Sequence, residues 1–85
     1  MKSVIIDCAV IPDKAAMHRA LAEALAFPDY YGNNLDALYD CLIDIREETS
    51  LTLLHFTAMG SFRAGFQAVL EEAEQENLHL IVTIS

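Results

Sequence analysis

Three stretches of the chain consist mainly of β-branched and other apolar residues. The first covers residues 3–11 (SVIIDCAVI) and ends before Pro12. The second is Leu51–Phe56 (LTLLHF), and the third is Leu80–Ile84 (LIVTI). Short continuous apolar runs are typical of strands that are buried on both faces, as in a parallel sheet. We therefore predict three strands of this kind.

Between these stretches, apolar residues recur every three or four positions, which predicts amphipathic helices. The first helix is predicted to begin with Asp13 as its N-cap, or with Pro12 and Asp13 opening its first turn together. It is predicted to run through Ala26, because Pro28 cannot continue it. The last helix is predicted to begin near Phe62 and to end near Asn77. Asparagine is one of the residues that adopt the left-handed conformation at a helix C-terminus, so we expect that conformation at Asn77.

The middle helix is predicted from about Asn34 to Ile45. Asn33 or Asn34 can cap its N-terminus, and Gly32 lets the chain turn sharply into it. The element order is then strand, helix, helix, strand, helix, strand, and strands separated by helices pair in parallel. The predicted fold class is α/β, with a three-stranded parallel sheet packed with three main helices in one domain, residues 1–85.

The middle helix has two contrasting faces. Asp36, Asp40 and Asp44 lie four residues apart on one face, with no basic residue among them. Like charges at this spacing oppose helix formation, so we expect the face to bind something. Tyr39 and Ile43 border it, either as apolar anchors at an interface or as side chains that helix tilt tucks under the loop. The opposite, buried stripe is predicted to contain Leu35, Leu38, Cys41, Leu42 and Ile45.

A second acidic segment lies near the end of the last helix, at Glu71, Glu72, Glu74 and Glu76. The helix dipole favours cations at this end, yet no lysine or arginine offsets the glutamates. Such a run alone is typical of a solvated surface. Together with the aspartates, however, Glu72 and Glu76 would form one acidic surface with aromatic residues between the two helices.

The charge balance bears on the kind of partner. Thirteen acidic residues and five basic residues give a formal net charge of −8. This charge disfavours direct binding to nucleic acid and favours either solubility or association with a basic protein. No apolar run is long enough for a signal peptide or a membrane span. Cys8 and Cys41 are too few for a disulfide framework, so we expect reduced, buried thiols in a cytoplasmic protein.

Catalytic and metal-binding interpretations have weaker support. A glycosidase-like carboxylate pair needs a cleft for a sugar, and a chain of 85 residues has little material for one. An Asp-x₃-Asp helix is compatible with Mg²⁺, but no phosphate-binding glycine loop accompanies it. His18, His55 and His79 lack ligand spacing and are expected to be exposed or half-buried. Cys41 has acidic neighbours, which disfavour a nucleophilic thiolate. We therefore predict no catalytic residue, metal, cofactor or small-molecule substrate.

The stretch PDYYGNNLDALYDCL, residues 28–42, resembles the loop and second helix of the barstar family of intracellular ribonuclease inhibitors. Weaker similarity runs through Met17–Leu25 and Val69–Ser85, whereas residues 43–68 match poorly. In that family the loop and helix plug the ribonuclease active site, and one aspartate replaces the substrate phosphate. The resemblance implies this role for Asp40, with partner contacts from Tyr30, Gly32, Asn34, Leu35, Asp36, Glu72 and Glu76.

The chain also departs from the family pattern at several positions. Tyr39 stands where barstar has a tryptophan, and Asn33 replaces an acidic residue. Ile43 and Asp44 replace small or polar residues at the end of the helix. We expect these positions to lie at the rim of the contact surface, with Tyr39 and Ile43 among the partner-binding residues. They would then bear more on which partner binds than on how it binds.

The leading functional hypothesis is a cytoplasmic, non-enzymatic inhibitor of a basic, extracellular-type ribonuclease. Its acidic loop and helix would occlude the active site by mimicking substrate phosphate. The alternative is an acidic protein–protein interaction module of the same fold whose basic partner is not a ribonuclease. An acidic metal-dependent enzyme has the least support. Replacement of Asp40 should weaken inhibition far more than replacement of Asp13.

Overall fold

Three parallel strands form the sheet of the computed structural model, which describes residues 1–85. The strands are β1 (Lys2–Asp7), β2 (Thr49–Leu54) and β3 (Leu80–Ile84), and β2 lies between the other two. Thr49 is opposite Lys2 on one side and Leu80 on the other, so the strands begin level with one another. The predicted three-stranded parallel sheet is confirmed, and the third strand has the predicted bounds.

Three helices connect or follow the strands, namely α1 (Lys14–Ala24), α2 (Leu35–Ile43) and α3 (Arg63–Glu76). The element order β-α-α-β-α-β is therefore as predicted. The Asp13 side chain accepts a hydrogen bond from the backbone N–H of Ala16 at 2.8 Å, which confirms Asp13 as the N-cap of α1. None of the helices is long and apolar enough to cross a membrane.

The helices cover only one face of the sheet, so the expectation that the strands are buried on both faces is wrong. Leu51 and Leu53 of β2 are fully buried on the covered face. On the other face, Ile5 of β1 is 68% exposed and Ile81 of β3 is 47% exposed. The strand order explains this arrangement. Two right-handed crossovers that step in the same direction, from β1 to β2 and on to β3, place their helices on the same face.

The first two strands end earlier than predicted. Residues 3–11 were expected to form one strand, but β1 stops at Asp7, whose carboxylate accepts from the backbone N–H of Ala9 and caps a 3-10 turn. Likewise β2 stops at Leu54, because His55 takes a left-handed conformation with φ of 55°. The residues after these two points turn inward, and Phe56 and Cys8 join the core.

The helix ends also differ from the prediction. α1 ends at Ala24 rather than Ala26, and Ala26 takes a positive φ of 56°. α2 ends at Ile43, two residues before Ile45. Asn77 follows α3 but is extended rather than left-handed, and its side chain is buried.

One hydrophobic cluster holds the covered face of the sheet and the three helices together. It contains 15 buried residues, including the second-helix side chains Leu38 and Leu42. Leu35, Cys41 and Ile45 were predicted in the same buried stripe but are only half-buried. α2 packs against α3, and residues from the outer faces of both helices line a shared groove.

Candidate functional site

The loop before α2 turns at Asn33, not at Gly32 as predicted. Asn33 has a positive φ of 53°, whereas no glycine in the chain takes a positive φ. Asn34 is the N-cap of α2, and its side-chain oxygen accepts from the backbone N–H of Ala37 at 2.7 Å. Its side-chain nitrogen donates to the Gly32 carbonyl at 3.3 Å, so one side chain fixes both the loop and the start of the helix.

Two neighbouring tyrosines have different environments. Tyr31 is half-buried, and its hydroxyl lies 2.6 Å from Nδ1 of the buried His18 on α1. Its ring also packs against Phe27, with ring centroids 5.0 Å apart. Tyr30, in contrast, is 87% exposed. Tyr31 therefore anchors the loop, and Tyr30 is the one that remains available for contact. The expectation of an exposed or half-buried His18 is wrong, because the ring is enclosed by Tyr31 and Phe66.

The predicted acidic side chains of α2 and α3 meet at one depression, which we call the acidic cleft. It is an open space of about 410 Å³ between the two helices. Five of the predicted site residues line it, together with one apolar residue of α3 that was not among the predicted site residues. The lining residues are Leu35, Asp36, Tyr39, Asp40, Val69 and Glu72.

Glu76 does not line the cleft, but its charge acts on Tyr39, which does. Partial burial raises the pKa of the Tyr39 hydroxyl, and the negative charges of Glu76, Glu72 and Asp40 raise it further. Because burial and three carboxylates from two helices raise its pKa, the Tyr39 hydroxyl stays neutral and can donate a hydrogen bond. Tyr39 thus lies at the centre of the acidic surface that the two helices form.

No cationic side chain neutralises this surface. No lysine or arginine nitrogen lies within 4.0 Å of any carboxylate oxygen, since the two ion pairs in the structure are His55 with Asp7 and His79 with Glu48. Arg63 instead donates to the carbonyl of Met59 at 2.9 Å. Carboxylates without partners repel one another, so a cationic ligand would be bound favourably here.

Ile43 and Tyr39 are half-buried and pack against the hydrophobic core. Ile43 does not line the acidic cleft, whereas Tyr39 does. Tyr39 therefore combines packing with access to the cleft, whereas Ile43 contributes packing without lining the cleft. Of the other predicted site residues, Tyr30, Gly32 and Asn34 lie together on the exposed loop.

Glu74 differs from the other glutamates of α3 because it has a structural partner. Its carboxylate accepts from the backbone N–H of Val82 at 2.7 Å and so satisfies an unpaired group on the edge strand β3. Glu71 lies within 3.4 Å of the Gln67 side-chain nitrogen. Glu72 and Glu76 make no such bonds and remain exposed. Two of the four glutamates are therefore hydrogen-bonded within the fold and two are not, and of the latter Glu72 lines the cleft.

Two residues that contribute to the site were not predicted from the sequence. Val69 forms part of the cleft wall, and its spacing of three residues from Glu72 could have indicated a shared face. Asn77 donates from its side-chain amide to the carbonyls of Leu42 and Ile45, at 2.9 and 3.0 Å, and so holds the end of α2. No sequence pattern indicated this link, because its partners are more than 30 positions away.

The structure also locates the two thiols and the potential metal ligands. Cys8 is buried and Cys41 is half-buried, and both are free. Burial raises the pKa of the Cys41 thiol, and the nearby carboxylates of Asp44 and Asp40 raise it further. No three histidine, cysteine, aspartate or glutamate side chains converge in an arrangement that could hold a metal ion.

Comparison with known proteins gives a consistent picture for the whole chain. Residues 1–83 match the family described as "Barstar (barnase inhibitor)". The chain is also 38% identical over 81 residues to a Bacillus subtilis protein named "Putative ribonuclease inhibitor YrdF". That alignment spans 89% of each chain. The fold, the acidic cleft and these matches together establish that the chain belongs to the barstar family.

Proposed function

We propose that this protein inhibits a basic ribonuclease by inserting its exposed loop and acidic cleft into the active site of that enzyme. The family match and the name of the Bacillus subtilis relative support a non-catalytic, inhibitor-type role. The observation that carries the more specific proposal is the set of cleft carboxylates without any basic partner. A ribonuclease active site, which binds phosphates with cationic side chains, offers the complementary charge.

Asp40 occupies the central position in this proposal. It lies on α2 at the edge of the cleft, exposed, with Asp36 one turn away and Glu72 across on α3. A carboxylate on a rigid helix can accept charge-assisted hydrogen bonds from arginine or lysine where a phosphate oxygen would otherwise bind. Because the helix is already folded, little conformational entropy is lost on docking.

The overall charge would assist the approach of the partner. A net charge of −8 attracts a basic enzyme over long range and raises the association rate at low salt. Added salt screens this attraction, so the association rate should fall as ionic strength rises. A cytoplasmic site of action fits the two free thiols, since thiols stay reduced in that compartment.

The test is a titration of a basic microbial ribonuclease with the wild-type protein and two charge-matched variants. Asp40→Asn removes one negative charge from the cleft, and Glu47→Gln removes one from an exposed position between α2 and β2. We expect Asp40→Asn to weaken inhibition about 100-fold or more, since it leaves cationic groups of the partner unpaired. Glu47→Gln should change it no more than about threefold, as expected for an exposed charge that does not line the acidic cleft.

Equal effects of the two variants would refute the role of Asp40. If the wild-type protein inhibits no basic ribonuclease and instead captures a basic protein without nuclease activity, the ribonuclease assignment is wrong. In that case the acidic surface would serve another basic partner. Neither carboxylate accepts a hydrogen bond within the chain, so both variants should fold as the wild type does. Thermal unfolding of each variant checks this.

A further inference from the structure

A second depression lies on the other side of Asp40, between α2 and the loop that follows α1. Its volume is about 320 Å³, and most of its wall is apolar. We call it the Asp44 groove, because Asp44 and Asp40 supply its carboxylates. Its lining residues are Leu25, Ala26, Phe27, Pro28, Tyr30, Asp40, Cys41, Asp44 and Ile45.

Both carboxylates affect the electrostatic environment of Cys41, which lies in the wall of this groove. The charges of Asp44 and Asp40 raise the pKa of the Cys41 thiol in its wall, in addition to the larger effect of burial. Neither carboxylate has a lysine or arginine partner. Arg46, the nearest basic residue in sequence, donates instead to the carbonyl of Ile43 at 3.3 Å. The groove thus combines apolar walls with negative charge that nothing in the chain compensates.

The position of Asp44 gives no advantage to the fold itself. Asp44 is the C-cap of α2, where the partial negative charge of the helix end disfavours a carboxylate. Its side chain is exposed and accepts no hydrogen bond from the chain. Asp36, in contrast, lies in the first turn of α2, where the helix dipole favours a carboxylate. A charge that the helix disfavours is most readily explained by an external cation.

We propose that the Asp44 groove receives an arginine side chain of the basic partner, with Asp44 as the carboxylate that binds its guanidinium. The identity of that partner as a basic ribonuclease rests on the proposed function. The aliphatic part of an arginine would lie against Leu25 and Ile45, and the aromatic rings of Phe27 and Tyr30 suit a planar cation. Arginine fits better than lysine because guanidinium is weakly hydrated, stacks on rings and binds a carboxylate through two donors.

The groove and the acidic cleft share Asp40 but differ in their other walls. Asp36 and Glu72 line only the cleft, and Asp44 lines only the groove. The partner would therefore present two neighbouring cationic groups, one on each side of Asp40. Lys2 and Arg46 border the next depression beyond Ile45, so the arginine would enter from the side of Tyr30.

The first test uses a small probe, so that it does not depend on the ribonuclease. The ¹⁵N-labelled full chain is titrated with N-acetyl-L-arginine amide and, as a neutral match, with N-acetyl-L-citrulline amide. We expect saturable shifts of the amide signals of Ala26, Cys41 and Ile45 with the arginine probe alone. Asp44→Asn should weaken this binding about fivefold, as expected for loss of a charge-assisted contact, and Glu47→Gln should not change it.

Three results of this titration would overturn the proposal. They are equal binding of the arginine and citrulline probes, equal binding by the wild type and Asp44→Asn, and no saturable shift in the groove up to the solubility limit of the arginine probe. Thermal unfolding of Asp44→Asn is expected at the same or a higher temperature, because the variant removes an unfavourable charge from the end of α2. Lost binding would then reflect the groove and not a loss of folding.

The second test measures the dissociation constant for a basic microbial ribonuclease. We expect Asp44→Asn to raise it about tenfold, compared with about 100-fold for Asp40→Asn. An unchanged constant for Asp44→Asn would overturn the proposed arginine contact in the complex. If the wild-type protein binds the arginine probe in the groove but inhibits no ribonuclease, the proposed function fails and the arginine-binding groove stands.

Discussion

Replacing Asn77 with alanine should destabilise the fold and loosen the end of the helix that presents the acidic cleft. The Asn77 side chain is 5% exposed. Its nitrogen donates to the carbonyls of Leu42 and Ile45 at 2.9 and 3.0 Å, and its oxygen accepts from the backbone N–H of His79 at 2.9 Å. Alanine removes all three bonds and leaves the two carbonyls at the end of α2 without this donor.

The size of the effect follows from these three bonds. A hydrogen bond in a protein contributes about 1 kcal/mol net, so Asn77→Ala should lower the free energy of unfolding by about 3 kcal/mol. A chain of this length has a total stability of about 4–13 kcal/mol, so the loss is a large fraction of it. Asn77→Asp should be worse, because a carboxylate would then face two carbonyl oxygens instead of donating to them.

The assay is equilibrium unfolding in urea followed by far-ultraviolet circular dichroism. Gln75→Ala is the matched control, since Gln75 is exposed on the last turn of α3 and makes no side-chain hydrogen bond. A difference of less than about 0.5 kcal/mol between Asn77→Ala and Gln75→Ala would show that the three Asn77 hydrogen bonds do not stabilise the fold. Equal stability of Asn77→Asp and the wild type would show that donation to the two carbonyls contributes nothing.

Two further changes test how the site is held. Burial lowers the pKa of His18, with a smaller effect from Lys14, so the unfolded chain binds a proton there at a higher pH than the folded protein does. The free energy of unfolding should therefore fall as the pH drops below about 6.5, until the pH passes the pKa of His18 in the folded protein. In urea unfolding, His18→Gln should lose this part of the pH dependence. The same pH dependence in both proteins would show that His18 does not cause it. Gly65→Ala places a methyl group 2.9 Å from the Leu35 Cδ1 atom, at the flexible end of that side chain. It should add up to about 1 kcal/mol of stability through helix propensity and weaken ribonuclease inhibition as Leu35 moves; unchanged inhibition would exclude Leu35 from the contact.

The aspartates on the α2 side of the acidic cleft could be predicted because helical spacing is local. Asp36 and Asp40 are four residues apart, so their shared face follows from the geometry of the helix alone. The loop could be predicted in outline, since Asn34 is an N-cap by residue type and by position. The environment of Tyr39 could not be predicted, because it depends on how closely α3 approaches α2. Only that approach brings Glu72 and Val69 to the same cleft as the aspartates.

The sequence by itself determined the number, type and order of the main elements, because apolar periodicity and capping residues act over a few positions. It also determined that the charge on the outer face of α2 has no compensation within its own helix. Only the tertiary structure decided that β2 lies in the middle of the sheet and that both crossovers step the same way, which leaves Ile5 and Ile81 on an open face. Only packing placed Asn77 under the end of α2 and brought the two acidic helix faces together, because both depend on contacts between residues far apart in the chain.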